Sequence, residues 1–151
     1  MKIYLETSVI IIKLFGASSE QERYRYPFVE SLFELINEKR VNAITSLYTL
    51  QELYAFCQDI CTVDEIEHFV KDAFRELFLN ELGIIGLLTR EQKLIYGRQF
   101  ASIVDASDQP HAITASLSGC HAIVTYDSHF DVIEDQIVIH TPESFLREFV
   151  G

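Results

Sequence analysis

Short apolar runs alternate with amphipathic stretches along the whole chain. Lys2 to Leu5 predicts a strand with Ile3 and Leu5 on one face and Tyr4 on the other. Glu6-Thr7-Ser8 ends that strand and opens a helix from Val9 to Phe15 that stops at Gly16, with the Thr7 and Ser8 hydroxyls as caps. Ser18 to Arg40 reads as mostly helical. Phe28, Leu32, Leu35 and Ile36 recur at helical spacing there, and Pro27 starts or kinks the main run. Val41 to Thr45 predicts a second strand, and Ser46 caps a helix from about Leu47 to Ile60 with Leu50, Leu53, Tyr54 and Cys57 on its apolar face. Val63 to Leu79 is amphipathic, with a stripe of Ile66, Phe69, Val70, Phe74 and Leu77. Ile84 to Leu87 predicts a strand, and Thr89 to Gln92 has a capping-box pattern for a helix from Arg90 to Ile103. Gln136 to Ile139 is a last strand, and Pro142 opens a helix through Phe149.

The stretch Asp108 to Phe130 organises the rest. Pro110 has no backbone N–H and fits only the first turn of a helix, so the helix begins at Ser107 or Asp108 rather than Asp105. Gly119 stops it. Ala122 to Thr125 is β-branched without alternation, as in a parallel strand covered on both faces. Asp127 stands just past its end, where ligands bind in open α/β sheets. Glu6 occupies the same kind of place after the first strand. Alternating strands and helices give an α/β class with a mostly parallel sheet and helices on both faces.

The 151 residues are 48% hydrophobic, enough for one full core, and no linker or repeat divides them, so residues 1–151 form a single domain. Glu6 and Lys13 interrupt any signal-peptide apolar region, and no run is long enough to span a bilayer, which predicts a cytoplasmic protein without a membrane partner. Three cysteines, Cys57, Cys61 and Cys120, fit reduced thiols better than a disulfide framework. The net charge of −11 lacks the overall basic excess of a general nucleic-acid binder. It fits either an ordinary acidic protein or acids gathered to hold cations.

Four acids fall at element boundaries or early in helices: Glu6, Glu52, Asp108 and Asp127. Each alone reads as a cap or a solvated surface group. Gathered without basic partners, such carboxylates repel one another unless a cation intervenes, and an all-oxygen site suits Mg²⁺ or Mn²⁺. Leu5-Glu6-Thr7-Ser8, Glu52, Asp108-x-x-His111-x-x-x-Ala115 and Thr125-x-Asp127-x-x-Phe130 together resemble PIN-domain proteins over essentially the whole chain. That resemblance implies a three-layer α/β/α sandwich and a metal-dependent endoribonuclease of VapC type. It also implies an RNA substrate, an antitoxin protein as partner, and a homodimer for which Val63 to Leu79 offers a face. Glu6, Glu52, Asp108 and Asp127 then match the acidic quartet around Mg²⁺ or Mn²⁺, with Thr7 and Thr125 as supporting hydroxyls. Glu6 departs from the family pattern, which usually has aspartate there. The extra methylene keeps the charge and changes the reach. It leaves open a non-catalytic PIN-like binding module as the alternative.

Other residues carry less. His111, one turn after Asp108, either orients a carboxylate or packs with its nitrogen satisfied locally, and the second is expected. Cys57 and Cys61 lack the second pair that a zinc site needs. Arg23 and Arg25 beside Tyr24 and Tyr26 form the densest basic–aromatic patch, able to meet RNA phosphates and bases. A phospho-accepting domain ranks last, because no acidic pair follows the first strand.

Overall fold

A computed structural model describes residues 1–151. Five short strands, β1 (Lys2–Leu5), β2 (Asn42–Ser46), β3 (Leu82–Ile85), β4 (Ala122–Val124) and β5 (Val138–His140), form one sheet in the order β3-β2-β1-β4-β5. Every pairing is parallel. Seven α-helices connect them: α1 (Thr7–Phe15), α2 (Tyr26–Asn37), α3 (Leu47–Ile60), α4 (Ile66–Phe78), α5 (Arg90–Tyr96), α6 (Gln109–Leu117) and α7 (Pro142–Val150). Alternation along β1 divides the core in two. Ile3 and Leu5 join α1, α2, α3 and α7 on one face, whereas Tyr4 joins α6, Phe100, Phe130 and Ile133 on the other. This is the expected three-layer α/β/α sandwich.

Local signals hold where the chain supplies its own cap. Thr89 and Thr141 both form reciprocal capping boxes. α6 has Pro110 in its first turn, and Gly119 follows it with φ +68°. Tertiary contacts move other boundaries. α2 starts only at Tyr26, after a turn through residues 20–25. β3 lies two residues earlier than its pattern predicts, because its register pairs Leu82 with Ala43 and Ile85 with Ser46. α5 ends at Tyr96 rather than Ile103; the chain turns there and buries Phe100 and Ile103 against the second face of the sheet.

Two cap assignments change. Glu6 itself stands at the N-cap of α1, its carboxylate accepting from the Ser8 N–H, so Thr7 and Ser8 are not the caps. Ser46 stands at the N-cap of α3 but makes no side-chain cap bond. Its hydroxyl is 2.7 Å from the Tyr4 hydroxyl instead.

Candidate metal and active centre

The chain leaves β1 toward β2 and β3 on one side, and β4 and β5 lie on the other, so the strand order reverses between β1 and β4. The crevice at such a reversal, beyond the carboxyl ends of the strands, is the binding position of doubly wound sheets. Glu6 follows β1 and Thr125 follows β4, and both are buried. Thr125 Oγ1 donates to Glu6 Oε2 at 2.8 Å. The same oxygen accepts from the Ser8 N–H at 2.9 Å and the Ser8 hydroxyl at 2.5 Å. Every hydrogen bond to this carboxylate falls on Oε2, so Oε1 is left for another partner.

Asp127 follows two residues later. Its N–H donates to Thr125 Oγ1 at 2.9 Å, and its Oδ1 accepts from the His129 N–H at 2.9 Å. Asp108 is almost fully buried at the start of α6, yet its side chain makes no cap bond. His129 Nδ1 lies between them, 3.3 Å from Asp108 Oδ2 and 3.4 Å from Asp127 Oδ1. Glu52, in the second turn of α3, contacts His111 Nε2, and Glu6, Glu52 and His111 bring ligand atoms within 4.8 Å of one another. Asp105, Asp108 and His129 form a second such group. In Asp105, two hydrogen bonds from Ser107 hold the carboxyl below the usual range.

No lysine or arginine forms an ion pair with any of the four acids; the only nitrogen side chains in contact with them are His111 and His129. The electrostatic consequence is visible at Asp108. Burial first, then the charges of Asp127, Asp105 and Glu6, push its carboxyl up to about 6, with the His129 hydrogen bond opposing. The donor set is all oxygen apart from the histidines, and its negative charge lacks a permanent counter-charge. That is the chemistry a hard divalent cation fits.

The sequence-predicted residues are thus brought to one edge, with differences in detail. Thr7 is buried, but its hydroxyl faces Thr49 at 3.4 Å, and Ser8 is the neighbour that reaches Glu6. His111 is not satisfied locally. It is fully buried between Tyr4 on β1 and Glu52 on α3. The roles of Ser8, Tyr4 and His129 as partners of the acids escape sequence reasoning. Ser8 and His129 had a usable signal, each standing two residues after an acid at an element boundary. Arg25 pairs with Glu22 at 3.0 Å and lies 4.4 Å from the centre of the Tyr126 ring, beside Asp127; Arg23 is exposed. A cleft of about 250 Å³ opens next to Asp127, lined by Thr125, Ser128, Asp131 and Thr141 among others. A larger cavity of about 340 Å³, lined by Met1, His121 and Phe145, is at the opposite edge of the sheet and away from the acids. Cys57, Cys61 and Cys120 are all free, and no helix is long and apolar enough to cross a membrane.

No family model matches the sequence, and no curated protein matches it. Solved structures do match. VapBC2 from Rickettsia felis, bound to a DNA fragment from its promoter, superposes with TM-score 0.64 at 18% identity, over 93% of this chain and 98% of that one. FitAcB from Neisseria gonorrhoeae gives 0.63 at 19% identity, over 93% and 98% of the two chains. DNA-bound VapBC from Salmonella typhimurium gives 0.62 at 20% identity, over 94% and 98%. The resemblance to VapC-type PIN-domain proteins carried by the acidic motifs is therefore met at the level of fold, which this chain shares with the VapBC and FitAB structures.

Proposed function

We propose that this chain is a metal-dependent endoribonuclease that hydrolyses RNA phosphodiester bonds at the Glu6–Glu52–Asp108–Asp127 edge, as the toxin of a toxin–antitoxin pair. The observation that carries it is a set of four acids at the strand-order reversal with no lysine or arginine to balance them. Bound Mg²⁺ or Mn²⁺ supplies an acidified water and offsets the charge that develops on the phosphodiester. Glu6 Oε1, Asp108 and Asp127 are the oxygens that would hold the cation. Glu52 would ligate it or orient the attacking water. Thr125 and Ser8 fix the Glu6 carboxylate, and Thr125 also receives the Asp127 N–H. Arg25, tethered over Tyr126 at the rim, meets a backbone phosphate of the RNA, with Arg23 beside it in sequence.

An antitoxin partner is supported by the VapBC and FitAB structures that share the fold, three of which hold DNA. For homodimerisation through residues 63–79, the exposed apolar side chains are Val63, Phe78 and Leu79, since Ile66, Phe69, Val70 and Phe74 of α4 pack on the core and Leu77 is buried. Light scattering at high concentration tests it, and a monomer rules it out.

The deciding experiment is cleavage of a mixed single-stranded RNA in Mn²⁺, Mg²⁺ or EDTA by the parent, Asp127→Asn and Glu6→Asp. Cutting by the parent that needs metal and disappears in Asp127→Asn is the expected result. Undiminished cutting by Asp127→Asn sinks the assignment. One observation favours the alternative of a non-catalytic PIN-like binding module: Glu6 is already engaged as the cap of α1 through Oε2. Cutting by Glu6→Asp alone would establish that reading.

A further inference from the structure

Three buried polar side chains, Ser46, Tyr4 and His111, form a hydrogen-bonded chain that ends on the half-buried Glu52. Ser46 Oγ at the end of β2 is 2.7 Å from the Tyr4 hydroxyl on β1, which is 2.6 Å from Nδ1 of His111 on α6; His111 Nε2 contacts Glu52 Oε1 on α3. Ser46, Tyr4 and His111 are each fully buried, and Glu52 reaches the surface. A carboxylate only accepts, so the Nε2 hydrogen belongs to the His111–Glu52 bond. Nδ1 then accepts a hydrogen bond from the Tyr4 hydroxyl, and Ser46 donates to Tyr4. Both ring nitrogens are thereby occupied. His111 is close enough to Glu6 and Glu52 to be counted with them as a ligand, but it has no lone pair left for a cation.

We infer that His111 is a positioning residue: held by Tyr4 and Ser46, it fixes one oxygen of Glu52 and leaves the other free for a cation or its water. This inference rests on the proposed metal site. Three details support it. Glu52 is only half-buried, and an unheld glutamate there samples several rotamers. Ser46 gives up its cap bond to α3 in order to bond Tyr4. The His111 ring is boxed edge-on by Tyr4, Tyr48 and Phe130, at centroid distances of 5.8, 6.2 and 6.4 Å, which fixes its plane. Partners that orient a metal ligand in this way are worth ~10-fold or more in metal affinity or activity.

The test is Mn²⁺ affinity by calorimetry, beside RNA cleavage, for folded His111→Leu, His111→Gln, Glu52→Gln and the double variant Glu52→Gln/His111→Leu. His111→Leu should weaken Mn²⁺ binding ~10-fold, and His111→Gln, which keeps an N–H donor, should recover part of it. The double variant should bind no more weakly than Glu52→Gln, because His111 acts only through Glu52. Multiplied losses in the double variant, or parental affinity in His111→Leu, overturn the inference. Should His111→Leu not fold, Tyr4→Phe keeps the ring and removes only the hydroxyl. About fivefold weaker binding, the value of one hydrogen bond, then supports the inference, and unchanged binding overturns it. Mn²⁺ binding without RNA cleavage defeats the nuclease reading alone. No Mn²⁺ binding by the parent defeats both.

Discussion

Thr125 Oγ1 donates to Glu6 Oε2 at 2.8 Å, joining the carboxyl ends of β4 and β1 across the crevice where the strand order reverses. The same hydroxyl oxygen accepts the Asp127 N–H, so one side chain sets the position of two acids. Replacing Thr125 with Val keeps the shape and removes both bonds. Because the Thr125 side chain is buried, the expected cost is about 1–3 kcal/mol in urea unfolding. Weaker Mn²⁺ binding should accompany it. An unchanged midpoint would show that the bond does not hold the two strand ends.

Asp108 is buried among like charges without a cationic side chain fixed beside it. Asp108→Asn should therefore raise the melting temperature in EDTA, by ~2–4 °C for each kcal/mol of repulsion relieved. Added Mn²⁺ should stabilise the parent and not the variant, since only the parent keeps all the carboxylates proposed to hold the cation. A lower melting temperature for the variant in EDTA would mean that the carboxylate is stabilised where it stands.

Alkaline pH should weaken the fold. Burial pushes the Cys120 thiol up to about 11, with Lys2 opposing, and burial also raises the hydroxyls of Tyr4 and Tyr126 well above the ordinary tyrosine range. The unfolded chain loses its thiol proton near pH ~8.5 and its phenol protons near ~10, whereas the native protein keeps them. Between those values and the native ones, the unfolded state binds fewer protons, so stability falls as pH rises. Melting temperatures from pH 7 to 10.5 should decline, and Cys120→Ser should shorten the decline at its lower end. A flat profile contradicts the burial of these groups.

Gly119 adopts φ +68° after α6, with open space where a Cβ would project. Gly119→Ala should cost ~1–2 kcal/mol through backbone strain alone, since nothing is there to clash. Gly119→Asn should cost less. Chemical denaturation of the two variants decides this, and equal stability of Ala and Gly would remove the left-handed cap from the account.

Local physics made much of the molecule legible. Strand faces follow from the alternation of Ile3, Tyr4 and Leu5, which does divide the two cores. The start of α6 follows from the missing N–H of Pro110, and its end from Gly119. The capping box at Thr89 is written in four residues, and the start of α7 in Pro142. The positions of Glu6 and Asp127 just past strand ends are equally local. Tertiary structure alone decided which hydroxyl serves which acid. Thr125 rather than Thr7 reaches Glu6 across the sheet, and Ser46 turns from its helix to Tyr4, because strand pairing sets distances that spacing along the chain does not encode. His111 has the same lesson. Its sequence neighbours offer a local partner, but β1 lying between β2 and β4 brings Tyr4 under its ring, and α3 brings Glu52 over it. Periodicity specifies which face of an element is buried; the order in which the strands assemble specifies what that face meets.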